Sequence, residues 1–426
     1  MPRTTRFARF ADLAWTFASL YASYRFAPRK ERPGLHRANA ERLLELALRL
    51  QGLMIKIGQW IATRADLLPD EYVEVLSELH DRVPPRPFAV IRPHVERCLG
   101  RRLDEVFRRF EPEPIAAASL AQVHEAELHD GRRVAVKVQY PEIEAFVAAD
   151  VRNLRLLLRI VRRIQGRLDF VGILNEVHRY VSEELDFEHE GRNAEAIGAL
   201  YTDRDDVAVP RIVWEWSSRR VLVMEFVDGI KVTDVSALRA AGIDPGAVAE
   251  RLLHVYAEQI LRHGLFHADP HPGNVLVRRA AENGRPRLVF LDFGVVKRLP
   301  ETFRRGLAEV LLAVLRGQPA EALAGLGRIG FRTRNNSYED LVPLTGAVLR
   351  FAGEKPERIA DAELLERFGT EILRAYRQNP VVRIPEDILL VMRVLGILGG
   401  IEKQLGGHFD LIHALLPYAK EGAAGT

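Results

Sequence analysis

The string with the most chemical specificity runs from Phe266 to Asn274, Phe-His-Ala-Asp-Pro-His-Pro-Gly-Asn, and is followed by Asp292-Phe293-Gly294. Phosphoryl transfer requires a carboxylate beside the acceptor oxygen and hard oxygen ligands on Mg²⁺, all rigidly held. Asp269 has the type and place of that carboxylate, and Asn274 and Asp292 those of the metal ligands. Between them, Val275–Val277 and Arg287–Leu291 read as two strands joined through an Asn283-Gly284 turn, so a hairpin carries Asp292 back towards Asn274. Each piece alone has a plainer reading: a helix cap for Asp269, a loop for the Pro-Gly cluster, a turn for Asp292. A metal centre on His267, Asp269 and His271 is a second reading. It leaves Asp292 unexplained, and no further His/Asp cluster at ligand spacing follows.

The Asp269-to-Asn274 separation matches the kinase catalytic-loop pattern H-R-D-x-x-x-x-N, with Asp-Phe-Gly downstream. That pattern demands a nucleotide-binding segment upstream. Residues 123–128 and 132–138 flank Asp130-Gly131, which predicts a type I′ hairpin. Val134, Val136 and Val138 share one face of the second strand and leave Lys137 on the other, where a lysine can hold the α and β phosphates. The phosphate-covering loop would then be Ala116, Ala117, Ala118 and Ser119, whose backbone amides have less freedom than those of glycines. A strand over 219–227 ends at Asp228-Gly229 and adds Glu225 and Val227 to the nucleotide-binding candidates.

Helices must position the rest. Residues 39–80 carry apolar side chains at steps of three and four and predict a strongly helical stretch, broken by Pro84-Pro85 and followed by one more helix to about Phe110. Within it Lys56 and Gln59 share a face with Arg49 and Gly52. Helical periodicity returns over 147–201. There Glu184 and Asp186 fall about 200° apart on an unbroken helix, whereas Asp186 and Glu190 share a face. Either the helix distorts, or the two acids serve different partners, for example Glu184 on Lys137 and Asp186 on Lys56 or the metal side.

These motifs in order, Lys56-Ile-Gly-Gln59, the alanine-rich loop, Val-Ala-Val-Lys137, Glu184-Leu-Asp186 with Glu190 and Asn193, His-Ala-Asp-Pro-His-Pro-Gly-Asn and Asp-Phe-Gly, resemble the UbiB/AarF (ADCK) family of atypical, protein-kinase-like proteins across nearly the whole chain. The resemblance implies an α+β, protein-kinase-like bilobal fold with ATP and Mg²⁺ between the lobes and an N-terminal helical KxGQ extension. It further implies that Lys137 pairs with Glu184, that Asp269 acts as base or water positioner, and that Asn274 and Asp292 hold Mg²⁺. Lys56, Gln59, Asp186 and Glu190 become regulatory residues of the extension and its partner segment. Divided this way, the chain reads as an arm (1–32), the extension (33–110), an N-lobe with a helical insertion (111–229) and a mostly helical C-lobe (230–426). Family members are associated with isoprenoid quinone synthesis and membrane lipid handling. Only a short stretch, Val295–Leu299, separates Asp-Phe-Gly from a helix start at Pro300-Glu301, which leaves little chain to hold a peptide and disfavours a conventional protein kinase. The rivals are a small-molecule phosphotransferase, which needs no KIGQ helix, and a nucleotide-gated module that binds a lipid or a partner without turnover.

Composition bounds the setting. The chain has 426 residues, 47% of them apolar and 28% charged, which excludes a disordered or collagen-like protein. One cysteine, Cys98, forms no intrachain disulfide and favours a reducing, cytoplasmic compartment. The net charge of +3 gives no case for nucleic acid. It is uneven, however: Arg3, Arg6, Arg9, Arg25, Arg29, Lys30 and Arg32 face only Asp12 and Glu31 near the N-terminus. The apolar stretch 11–24 between them is too short to span a bilayer. It predicts a helix packed on the protein or an interfacial helix giving peripheral contact with the inner face of the cell membrane, while Asp12 compromises a third reading, a signal peptide. The apolar run 388–401 is interrupted by Arg393 and three glycines, and the end, Leu-Leu-Pro-Tyr-Ala-Lys-Glu-Gly-Ala-Ala-Gly-Thr, lacks the hydrophobic spans of many bacterial relatives, so no transmembrane helix is expected.

Overall fold

A computed structural model describes residues 6–26, 32–62, 69–80, 83–165, 174, 178–179, 181–279, 285–333, 381–383, 385–407 and 411–424. Its contacts divide into two units, Met1–Gly191 with Arg211–Phe226, and Arg192–Pro210 with Val227–Thr426. Residues 192–210 thus group with the C-terminal unit and not with the segment 111–229.

The first unit opens with α1 (Arg6–Phe26), α2 (Arg32–Leu50), α3 (Leu53–Ala62) and α4 (Asp70–Ser77), the last running into a 3-10 turn at Glu78–His80. There follow α5 (Phe88–Leu99), α6 (Leu103–Val106), β1 (Phe107–Phe110), β2 (Ala116–Ala117), β3 (Ala121–Leu128), β4 (Arg133–Gln139), α7 (Ile143–Gln165) and α8 (Phe187–Gly198). The short β5 (Val207–Ala208) belongs to the second unit, and β6 (Val221–Glu225) completes the first. The sheet order is β1-β3-β4-β6, with β2 alongside β3. Val134, Val136 and Val138 are buried as their alternation predicts. Phe107–Phe110 is a strand, because it pairs with β3 where the helical reading extended to Phe110. The Asp130-Gly131 hairpin is not type I′. Only Gly131 has positive φ, +87°, and its N–H donates to the Leu128 carbonyl, while the Asp130 carboxylate accepts from the Arg132 amide. That is a type I turn closed by a left-handed glycine.

The helical stretch breaks where the periodicity runs on. Gln51 and Gly52 both take left-handed geometry, φ +56° and +57°, between α2 and α3. The Gln51 amide closes on Ala47, and Arg9 Nη1 donates to the Leu50 carbonyl at 2.9 Å, so the end of α2 is satisfied. A Cβ on Gly52 would stand 2.9 Å from Ile143 Cδ1 on α7, so this close approach requires glycine. Lys56 and Gln59 therefore lie on a separate helix from Arg49. Arg9 also reaches Asp150 of α7 through Nε and Nη2, with 3% and 0% of the two residues exposed. The N-terminal helix is thereby packed on the unit along its inner face, whereas Phe7, Trp15, Tyr21 and Phe26 remain exposed on its outer face.

The second unit continues with β7 (Ile230–Lys231), α9 (Val235–Ala240), α10 (Pro245–Ala257), a π-helical turn Glu258–His263, β8 (Leu265–His267), β9 (Val275–Arg279), β10 (Pro286–Phe290) and β11 (Val296–Arg298). Then come α11 (Glu301–Leu315), α12 (Pro319–Arg328), β12 (Arg332–Thr333), β13 (Val381–Arg383), α13 (Glu386–Leu405) and α14 (Leu411–Ala424). Asp244 caps α10 by accepting from the Gly246 and Ala247 amides, with Pro245 at the first helical position. β9 and β10 pair antiparallel as the expected hairpin, whose Asn283-Gly284 turn lies outside the described residues. Pro300 opens α11 directly after β11, as the sequence predicts.

Glu258, 3% exposed in the π turn, contacts Arg204 and Arg262 at 2.6 and 2.7 Å and His263 at 3.6 Å. Burial pushes its carboxyl up, but the adjacent His263, the bond to Arg204 and the charge of Arg262 outweigh that and hold it at about 2 against an ordinary 4.5. A depressed folded value gives stability that is present above about 4.5 and lost as pH falls towards about 2; the shift corresponds to roughly 3 kcal/mol. Acid titration of the melting temperature is therefore expected to be steeper in this window for the native chain than for Glu258→Gln; parallel curves would contradict the assignment.

Candidate active site

In the first unit, Lys137 occupies the middle of β4, paired in register with Val123 and Leu222 on its two neighbours. Its Nζ lies 2.6 Å from Glu190 Oε1 and 5.2 Å from the centre of the Phe187 ring. The side chains of Lys137 and Glu190 are 12% and 3% exposed. Glu190 can reach this position because Gly191 lets α8 close on the sheet: a Cβ there would stand 2.6 Å from the Trp214 ring. A second pair joins Lys56 of α3 to Glu184, with Nζ 2.7 Å from each carboxylate oxygen. Gln59 is engaged within the extension, donating to the Leu79 carbonyl at 3.0 Å.

The expected pairing of Lys137 with Glu184 is therefore corrected, and so is the placing of Asp186 on Lys56, whose Nζ meets Glu184 instead. The helix through Glu184 ends, and Asp186 caps α8 by accepting from the His189 amide at 3.1 Å. Gln139 Nε2 holds the intervening turn by donating to the Leu185 and Arg219 carbonyls, at 2.7 and 3.0 Å. With this break Glu184 meets Lys56, Glu190 meets Lys137, and Asp186 caps the helix that carries Glu190. An aspartate ahead of helix-forming residues is itself an N-cap signal.

The alanine stretch is part strand and part turn ahead of β3. Ala116 and Ala117 form β2, paired with Val123 and Gln122, and the Ala118 N–H closes a turn on the Ala121 carbonyl at 2.8 Å. That amide is used by the fold, and Ser119 is buried. Glu225 ends β6, its side chain exposed and its amide donating to Arg211, and Val227 begins the next segment of the second unit.

In the second unit, the β9–β10 register sets Val275 opposite Phe290, so Asn274 and Asp292 flank the paired end of one hairpin, and the Leu291 N–H donates to the Asn274 carbonyl at 3.0 Å. Asn274 Nδ2 lies 3.3 Å from both the backbone oxygen and Oδ2 of Asp269. That bond directs the amide nitrogen at Asp269 and leaves Oδ1 as the group to offer a cation. Asp292 Oδ1 accepts from the Gly294 amide at 3.0 Å. An amide oxygen and a carboxylate are hard donors that suit Mg²⁺.

His267 sits beneath this site, fully buried. Its amide donates to Gln259 Oε1 at 2.9 Å and its Nε2 meets the Asp292 carbonyl, which can only accept, while Tyr256 Oη lies 3.1 Å from Nδ1. Burial pushes the imidazole below its ordinary pKa, the bond to Asp292 offsetting part of this, and burial with the nearby Asp269 charge pushes the Tyr256 hydroxyl up. The ring is thus neutral, protonated on Nε2, and accepts from tyrosine on Nδ1. Both nitrogens are engaged, so the alternative of a metal centre on His267, Asp269 and His271 is set aside; among the described residues no group of three His, Cys, Asp or Glu side chains could hold a metal. Asn193 Nδ2 donates to the Phe293 carbonyl at 3.0 Å and fixes the same triplet from α8.

Residues 78–324 match the family model of the ABC1 atypical kinase-like domain, more than half of the chain. The chain belongs to this family. It is 36% identical over 384 residues to AarF domain-containing protein kinase 1 of Xenopus laevis, covering 88% of this chain and 72% of that protein. It is 35% identical over 434 residues to the chloroplastic protein ACTIVITY OF BC1 COMPLEX KINASE 8 of Arabidopsis thaliana, covering 94% and 56%. Among solved structures it is similar to Rv3197 of Mycobacterium tuberculosis in its complex with erythromycin, with a TM-score of 0.65 and 25% identity over 93% of this chain and 99% of that one. The UbiB/AarF kinship and the α+β kinase-like fold expected from the motifs both hold.

The site of this ABC1-family chain contains residues that pattern reading passed over. Tyr256 and Gln259 support His267 from α10 and the π turn, a local geometry no apolar periodicity announces. Arg393 of α13 lies 3.7 Å from Asp269 Oδ1 although 124 positions separate them in the sequence.

Proposed function

We propose that this protein binds ATP with Mg²⁺ and transfers the terminal phosphoryl group to water or a small acceptor, as an atypical kinase or ATPase. The observation that carries the reading is the second unit's hairpin, which sets an amide oxygen and a carboxylate at one end with Asp269 bonded to Asn274. Lys137 would bind phosphate oxygens, kept in place by Glu190 and not by Glu184. Asn274 and Asp292 would hold Mg²⁺, which supplies charge neutralisation on the phosphates. Asp269 would orient the acceptor and take its proton. The paired Lys56 and Glu184 tie α3 to the segment preceding α8 and would let motion of the extension regulate Lys137. The expected result is ATP hydrolysis that requires Mg²⁺ and vanishes with EDTA, measured with and without anionic vesicles and phenolic, quinone-like compounds. Nucleotide binding with no turnover in any of these conditions would replace the enzyme with a nucleotide-gated module.

We also propose that its role lies in isoprenoid quinone or membrane-lipid handling, at a membrane surface reached through α1. No described helix is long and apolar enough to cross a membrane. The outer face of α1 nevertheless exposes Phe7 and Trp15, at 79% and 76%, in a segment flanked by arginines, a combination suited to an anionic interface. Because Arg9 anchors this helix, deleting it would damage the fold; substituting the outer face does not. Phe7→Glu with Trp15→Glu is expected to reduce co-sedimentation with anionic liposomes at least ~10-fold without lowering the melting temperature. Unchanged sedimentation would count against this contact.

A further inference from the structure

The two segments that carry Asp269, Asn274 and Asp292 have no cation of their own. Neither 266–277 nor 289–296 contains a lysine or an arginine. Yet a transferring phosphoryl group carries charge on its equatorial oxygens, which enzymes stabilise with preorganised cations beside the nucleophile. Among the described residues a cation is set against Asp269 from elsewhere in the second unit: Arg393 Nη2 of α13 lies 3.7 Å from Asp269 Oδ1. That separation is a charge contact beyond hydrogen-bond length, so the carboxylate does not hold the guanidinium's donors. The arginine is 41% exposed at its side chain, and the helix beneath it is firmly seated through Val391, Val394 and Leu398, each buried. A second tie fixes α13 to the strand leaving Asp-Phe-Gly, where Lys297 Nζ meets Asp387 Oδ1 at 2.7 Å. The helix is therefore anchored to β11 one turn and a half before it presents Arg393 to the catalytic loop.

Resting on the ATP reading above, we infer that Arg393 is a further catalytic residue, an arginine supplied in cis that binds the equatorial oxygens of the phosphoryl group in transfer. In the step it serves, the oxygen of water or an acceptor hydroxyl bonds to the γ-phosphorus and gives its proton to Asp269. The bond from phosphorus to the β,γ-bridging oxygen breaks, and ADP leaves with that electron pair. The planar guanidinium fork turns from Asp269 onto two phosphoryl oxygens, a geometry an ammonium cannot reproduce.

The test uses the full chain with Arg393→Met and Arg393→Lys. Measured are kcat and KM for Mg·ATP, and the affinity for Mg·ADP alone and with aluminium fluoride, which mimics the phosphoryl group in transfer. With Arg393→Met, kcat is expected to fall about 10²- to 10³-fold, KM and Mg·ADP affinity to stay within about two-fold, and the tightening by aluminium fluoride to be lost. Arg393→Lys is expected to recover only a minor part of kcat, because charge alone is restored. Native kcat in Arg393→Met, or equal weakening of Mg·ADP with and without aluminium fluoride, would overturn the assignment in favour of a surface ion pair. A native chain that shows no Mg²⁺-dependent turnover overturns the ATP-hydrolysing reading itself, and Arg393 as its catalytic cation with it.

Discussion

Asp292→Asn is expected to lower Mg²⁺-dependent ATP turnover by about 10³-fold or more, the range lost when a charge clamp on a transferring phosphoryl group is removed. The substitution is nearly isosteric. An amide oxygen can still accept from the Gly294 amide, and the bond from His267 Nε2 goes to the backbone carbonyl of residue 292, which the change leaves in place. What disappears is one negative charge among hard oxygen donors, and with it the affinity for Mg²⁺. The melting temperature should stay within a few degrees of the native value while turnover collapses, and raising the Mg²⁺ concentration should recover part of the rate. Turnover within ten-fold of native at ordinary Mg²⁺ would remove Asp292 from the metal site. Asp269→Asn makes a useful contrast, since it should reduce kcat without that Mg²⁺ rescue.

Glu190→Gln should damage both stability and nucleotide binding, and Glu184→Gln much less. The Glu190 side chain is 3% exposed and Lys137 12%, so losing the carboxylate removes one partner of a buried pair, a change that typically costs about 3–5 kcal/mol. It also frees Nζ to leave the position from which it would meet phosphate, and a misplaced catalytic group of this kind costs on the order of 10²-fold in rate. The Lys56 and Glu184 side chains are 26% and 19% exposed, and their pair lies nearer the surface limit of about 1 kcal/mol. Chemical denaturation and ATP titration of the two variants side by side decide the matter. Equal loss of ATP affinity in both would contradict the assignment of Lys137 to Glu190 rather than Glu184.

Much of the candidate site's local geometry could be read from the linear order of residues, because it is carried by short strings whose internal spacing is local. Asp269 to Asn274 is one turn of chain, the β9–β10 hairpin is closed by its own strands, and Lys137 alternates with buried valines on β4. Those relations need only the two-residue period of a strand and the reach of a tight loop. The α+β kinase-like fold follows from the same strings taken in order, as does membership of the ABC1 family. Even the abrupt start of α11 after Asp-Phe-Gly is written in Pro300-Glu301.

Partner choice was decided by tertiary structure. Periodicity assumes an unbroken helix, so it could not foresee that Gln51-Gly52 would break one against Ile143, or that Gln139 would pin Leu185 and send Glu184 to Lys56 and Glu190 to Lys137. Arg9 on Asp150 and Arg393 near Asp269 join residues more than a hundred positions apart. Such contacts have no local signature: a helix propensity or a charge in the sequence is compatible with many partners, and only the packing of whole elements brings one of them within reach.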